Sequence, residues 1–244
     1  MIQPTFYRTI QIDGLSIFYR EAGKKDAPTI LFLHGVPSSS RMFEPLFSRL
    51  ADRYHGGPVG FRMALLHPDR INALIVQDAV AHNEGLGANW KTRRAFWADR
   101  GPNESALRTN LLSLPTTRHV GNDPNVERYD PDLWTDEFYF LNQPGQAEIQ
   151  SDFFYDYRTN VDSYPKWQAW MREKQPRLLV IWGKYDLSFD LGEPERYRKD
   201  VPNAEVHVLD AGHFALDTTA DEIAELVRNF MASSRAELGA RRAG

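Results

Sequence analysis

The sequence predicts an α/β protein: a mostly parallel sheet with helices on both faces. Three observations point there. Residues 29–34 (Thr-Ile-Leu-Phe-Leu-His), 71–76 (Ile-Asn-Ala-Leu-Ile-Val) and 178–182 (Leu-Leu-Val-Ile-Trp) are short, largely apolar runs, which suits strands buried on both faces. Segments with apolar residues at helical spacing alternate with them. Glycine turns follow the runs, at His34-Gly35-Val36-Pro37, Gly183-Lys184-Tyr185-Asp186 and Gly212-His213. Open α/β sheets place their chemistry at such carboxyl ends of strands.

The totals fit one large domain, or a core with an insertion, in 244 residues. A hydrophobic share of 42% with 25% charged residues is that of an ordinary globular protein. A net charge of -4 gives no electrostatic case for nucleic acid or an anionic membrane. No cysteine is present, which excludes disulfides, thiolate metal sites and a cysteine nucleophile. No run approaches the ~20 apolar residues of a membrane span. Met1 to Thr5 carry neither a basic nor a long apolar leader, so a cytoplasmic location is expected.

Along the chain, Ile10, Ile12, Leu15, Ile17 and Tyr19 alternate with polar residues around Asp13-Gly14, the pattern of a β-hairpin. The buried strand 29–34 follows. Phe43, Leu46, Phe47 and Leu50 then form one helical stripe, with Pro45 in its first turn. After Gly56-Gly57-Pro58, the residues Val59, Met63 and Leu66 fall at helical spacing until His67-Pro68 stops the helix. Two helices therefore follow one another with no strand between them. In a parallel fold each helix should deliver the chain to a new strand, so one unit of the alternation is missing.

Residues 79–176 break the alternation and hold five of the six tryptophans, with Phe153, Phe154, Tyr155, Tyr157 and Tyr164. Such an insertion suits a lid over a small apolar pocket, although most of these aromatics are more readily expected to form the insertion's own core. The alternation resumes with strand 178–182, a short helix over 194–199, strand 204–209 and a last helix carrying Ile223, Val227, Phe230 and Met231. Residues 233–244 read as a frayed tail. The expected organisation is a core of 1–78 and 177–232 with a cap of 79–176.

These features together resemble the α/β-hydrolase fold, in the branch of haloalkane dehalogenases and epoxide hydrolases. The resemblance spans nearly the whole chain through the hairpin, the His-Gly-x-Pro turn, the inserted cap, the strand ending at Asp186 and Gly212-His213. His213, in a loop after a strand, suits a general base that activates water, and it needs a carboxylate on its other ring nitrogen. Asp186 is the favoured partner. Asp78 is the alternative, because some members of the fold draw the acid from the strand before the cap. The resemblance implies that His34, Gly35 and Val36 build the oxyanion or halide pocket. It also implies that a cap tyrosine, Tyr155, Tyr157 or Tyr164, serves as hydroxyl donor to substrate.

One member is absent. The fold carries its nucleophile on a strand-to-helix elbow, patterned in this branch as Asp, one residue, Gly-Gly. Gly56-Gly57 matches the end of that pattern, yet the nucleophile position holds Tyr54, followed by His55. Recruitment of Ser38, Ser39 or Ser40 is disfavoured, since turns and helix starts favour serine anyway. The expectation is an internal deletion around residues 53–57 that removes the elbow, two strands and one helix, on the order of 30 residues or more. The core is then incomplete, and hydrolysis of small apolar substrates (carbon–halogen, epoxide or ester bonds) is impaired. The alternative is a non-catalytic binding scaffold. No cofactor or metal motif is found, and the expected partner is a small molecule.

Overall fold

In the computed structural model the described residues are 4–24, 29–50, 58–87, 90–112 and 119–243. The deletion expected around 53–57, with Tyr54 and His55, lies outside them.

The hairpin forms as its turn chemistry requires. Strands β1 (Thr5–Ile12) and β2 (Leu15–Ala22) pair antiparallel with Ile12 opposite Leu15. Asp13 and Gly14 both take positive φ, 49° and 80°, as a two-residue hairpin turn demands. The alternation predicts one buried face, yet the hairpin is a separate two-stranded sheet. Phe6, Tyr7, Ile10, Ile12, Leu15, Ile17 and Phe18 are 43–65% exposed on its two sides.

The first buried strand is a correction. Residues 29–34 do not join a sheet: Phe32 makes a single bridge, and Leu31 is exposed. An apolar run becomes a strand only where another strand accepts its backbone groups, and none of the described strands does so here. Phe32 instead packs its ring on Phe43, 4.8 Å away.

Helix α1 (Glu44–Leu50) keeps Pro45 in its first turn and buries Leu46 and Leu50. Helix α2 (Pro58–Leu66) forms where expected but turns a different face inward. Phe61 and Ala64 are buried, whereas Leu66 is 74% exposed. Phe61 decides the rotation by stacking on Trp167 at 5.1 Å and on Tyr197 at 6.2 Å.

Strand β3 (Leu74–Gln77) starts three residues later than the apolar run. Between it and β4 lie α3 (Lys91–Ala98), α4 (Arg100–Leu112), α5 (Asp132–Leu141), α6 (Gln146–Asp156), α7 (Arg158–Val161) and α8 (Tyr164–Lys174). Then come β4 (Leu178–Gly183), α9 (Glu193–Asp200), β5 (Glu205–Leu209) and α10 (Leu216–Ala243). The segment 233–243, expected to fray, continues α10 as helix. No helix of the described residues is long and apolar enough to cross a membrane.

Strands β3, β4 and β5 form a parallel sheet in the order β3-β4-β5, with Leu74 opposite Leu178 and Leu179 opposite Glu205. Every residue of β4 is buried. Its alternation splits the core in two. Leu178, Val180 and Trp182 pack with Phe61, Trp167 and Tyr197 on one face. Leu179 and Ile181 pack with Leu46, Ile223 and Val227 on the other. Among the described residues β3 has a strand on one side only. The Leu74 and Asp78 N–H groups reach the Arg177 and Ile181 carbonyls of the β4 side. By the two-residue alternation, Ile75 and Gln77 therefore turn their backbone groups to the open edge.

Candidate active site

The carboxyl end of β4 and the loop after β5 are locked together before any side chain takes part. The Lys184 N–H donates to the Leu209 carbonyl and the Tyr185 N–H to the Ala211 carbonyl, both at 3.0 Å. The approach leaves no room for side chains: a Cβ on Gly183 would lie 2.0 Å from the Gly212 oxygen, and one on Gly212 2.2 Å from the His119 oxygen. Both positions need glycine because of this crowding.

This frame sets Asp186 beside His213. Asp186 is buried, and its Oδ1 accepts the backbone N–H groups of Ser188 (2.6 Å) and Phe189 (3.3 Å). Its Oδ2 lies 3.0 Å from His213 Nδ1. That geometry fixes the imidazole and leaves its other nitrogen for chemistry. The rings of Phe189 and Phe214 flank His213 at 5.4 and 5.0 Å.

Asp78 belongs to the same cluster. Donor atoms of Asp78, Asp186 and His213 all lie within 4.8 Å of one another. Asp78 has a φ of 41°, and its Oδ1 accepts the Gly183 N–H at 2.8 Å. Burial, then the neighbouring charge of Asp186, hold its carboxyl well above the usual carboxylate range.

A cavity of about 160 Å³ opens in front of this cluster. Asp78 and His213 line it together with Gly35, Val36, Trp90 and Tyr157, whereas Asp186 stands behind. His34 is exposed and turns its Nδ1 to the Gly35 carbonyl, 3.1 Å away. The cap tyrosines separate clearly. Tyr157 lines the cavity. Tyr155 packs edge-on to Phe96 beneath the Arg158 guanidinium, and Tyr164 is buried 5.2 Å from Trp167. Phe32 and Ile75 also line the cavity.

Chains of approximately this architecture are known. Residues 55–220 match the family described as alpha/beta hydrolase fold. This chain belongs to that family. The hydrolase-fold chain is 31% identical to an uncharacterized hydrolase of Saccharomyces cerevisiae, over 283 aligned positions covering 93% of this chain and 98% of that one. Among solved structures it is similar to the haloalkane dehalogenase DbeA from Bradyrhizobium elkanii, with a TM-score of 0.76 at 14% identity, covering 96% of this chain and 100% of that one. The epoxide hydrolase CorEH gives 0.70 at 14% identity, covering 94% and 99%. Both structures share the fold with this chain.

Sequence reasoning missed the residues of the 79–176 segment that hold the His213 loop. The Gly212 N–H donates to the Tyr129 hydroxyl at 3.1 Å, which donates in turn to Asp123 Oδ2 at 2.8 Å. Arg128 joins Asp123 to Asp210. Burial, with Asp123 beside it, pushes the Tyr129 phenol up to about 12. Also missed was His119, held between Asp217 (2.6 Å) and Glu137 (3.3 Å). Burial opposes its charge, but the two carboxylates outweigh burial and raise the imidazole to about 9. The same holds in direction for His82, between Glu193 at 2.8 Å and Asp200 at 3.0 Å. No local motif marks these groups, since the decisive partners lie far away in sequence: Gly212 for Tyr129, Asp217 for His119 and Glu193 for His82.

Proposed function

We propose that this hydrolase-fold chain keeps the water-activating half of the machinery and lacks the covalent half. The observation that carries this reading is the Asp186–His213 contact of 3.0 Å at an apolar cavity, in a sequence with Tyr54 where the elbow pattern calls for a nucleophile. In this reading His213 is the general base, Asp186 orients it, and the turn of His34, Gly35 and Val36 supplies N–H groups to a developing oxyanion or a halide. Tyr157, the cap tyrosine on the cavity wall, is the hydroxyl that meets a substrate oxygen. Residues 1–78 and 177–232 act as core and 79–176 as cap.

The internal deletion around 53–57 is part of this proposal, and three findings support it. The alignment with the yeast relative runs over 283 positions, more than the 244 residues of the chain. The family match starts at residue 55, at the join. The run 29–34 stays out of the sheet while β3 keeps an open edge among the described residues.

Such a chain hydrolyses carbon–halogen, epoxide and ester bonds poorly or not at all, because no carboxylate or serine attacks the substrate. The test is a panel of a bromoalkane, a terminal epoxide and p-nitrophenyl acetate, with His213→Ala as control. The expected result is no turnover beyond that control. Turnover abolished by His213→Ala overturns the proposal. The second reading, a binding scaffold for a small apolar ligand, is favoured by the cavity. A cavity of about 150 Å³ with apolar walls is enough to bind benzene. Saturation-transfer NMR with bromobenzene tests it, and a signal lost on Val36→Trp supports it.

A further inference from the structure

Asp78 has no task in the mechanism above, although its carboxylate lies in the same buried cluster as the dyad. Its backbone is held at positive φ, where side chains other than glycine, asparagine and aspartate are rarely found. The chain maintains this conformation at the end of β3, and two bonds to β4 explain how. The Asp78 N–H donates to the Ile181 carbonyl at 3.1 Å, and Oδ1 accepts the Gly183 N–H at 2.8 Å. Its second oxygen, Oδ2, is buried with no hydrogen-bond partner, the Gln77 amide beside the carboxyl favouring its charged form but being outweighed by burial and by Asp186. Beside it stands Asp186, whose own oxygens already serve Ser188, Phe189 and His213.

Two ionised carboxylates in that space repel each other, and Oδ2 would remain a buried acceptor without a donor. Each problem is costly, because interior charges are weakly screened and an unpaired buried oxygen loses its hydration. A single proton removes both. Neighbouring buried carboxyls commonly share one proton between them, and oxygens of Asp78 and Asp186 lie within 4.8 Å of each other. Asp186 already accepts from two backbone N–H groups and faces the imidazole, so the proton belongs on Asp78. We infer that Asp78 is a positioning residue that acts as a neutral carboxylic acid, donating its Oδ2 proton to Asp186 and so holding that carboxylate against His213. The inference rests on the Asp186–His213 pairing proposed above and is independent of whether any substrate is turned over. The other titratable side chains of the cavity wall are His213, Arg93 and Tyr157. None of them is a carboxylate that could take the place of Asp186.

Asparagine distinguishes the neutral acid from an ionised one, since its amide accepts from Gly183 and donates to Asp186 while carrying no charge. The experiment is a proton NMR titration of His213 in the full chain, its resonances assigned with His213→Ala. It also records the downfield Nδ1–H resonance of an imidazole bonded to a carboxylate. The inference expects Asp78→Asn to leave the His213 titration midpoint within about 0.3 of wild type and to keep the downfield resonance, as neutral-for-neutral exchange requires. It expects Asp78→Ala, which cannot donate, to broaden or lose that resonance. A fall of about 1 or more in the midpoint for Asp78→Asn, the effect of removing a nearby negative charge, overturns the inference. So does an unchanged resonance in a folded Asp78→Ala. If Asp78→Ala does not fold, the Asp78→Asn midpoint decides alone. A wild-type chain with no downfield resonance overturns the dyad reading as well, and this separates the two failures.

Discussion

The open edge of β3 makes a prediction that proline can read. Proline has no N–H, so it is tolerated in a strand only where that N–H is not part of the ladder. Leu74 and Asp78 donate to the Arg177 and Ile181 carbonyls, and the two-residue step between them assigns the Val76 N–H to the Leu179 carbonyl. Ile75, one residue away, points its N–H to the edge where no described strand lies. Ile75→Pro therefore removes no ladder bond and loses about 1 kcal/mol of apolar contact from a half-buried side chain. Val76→Pro deprives a buried carbonyl of its donor, at about 1–3 kcal/mol, and forces the ring against β4, for a total of roughly 3–5 kcal/mol. At roughly 2–4 °C per kcal/mol for a chain of this size, the two variants should melt about 5–15 °C apart. Circular dichroism melts at matched concentration read the difference. An equal loss in both variants, or a larger loss for Ile75→Pro, refutes the reasoning, because a strand must then occupy that edge.

Other consequences follow from the same contacts. Tyr129→Phe removes the hydroxyl shared by the buried Gly212 N–H and Asp123 and should cost about 2–4 kcal/mol. Tyr185→Phe, whose hydroxyl meets the exposed Asp210, should cost under about 0.5 kcal/mol, and paired urea titrations compare them. His119, raised from 6.5 to about 9, makes stability depend on pH. Its folded value exceeds the unfolded one, so the contribution is complete below about pH 6.5, falls as pH rises, and is gone above about 9. Melts between pH 6 and pH 10 should show a loss of roughly 3 kcal/mol that is absent in His119→Gln. Finally, the hairpin's exposed apolar side chains and the β3 edge offer unpaired surface to other copies. The purified chain should self-associate, and a monomeric profile in light scattering would count against this.

What could be read from the sequence is what neighbours along the chain decide. Asp13-Gly14 encodes its turn because the conformations of two adjacent residues suffice for it. The apolar run of β4 predicts a buried strand because that pattern is set within a few residues, whereas the need for glycine at 183 and 212 comes from the close approach of distant backbone. Even the broken spacing before Gly56-Gly57, with Tyr54 where the elbow pattern calls for a nucleophile, is legible. The tertiary structure decided whatever depends on a distant partner. Residues 29–34 have the composition of a strand, but a strand exists only when another offers its backbone groups, and none of the described ones does. Periodicity placed Leu66 inside, whereas Trp167 and Tyr197 drew Phe61 inward and turned α2. Both Asp78 and Asp186 follow strands, and the sequence favoured Asp186 as the partner of His213 while keeping Asp78 as the alternative. The choice came from the register of β4 against β5, which carries the His213 loop to Asp186 and leaves Asp78 stapled to Gly183. Local chemistry thus determined the units of this chain, while long-range backbone pairing determined which of them became a site.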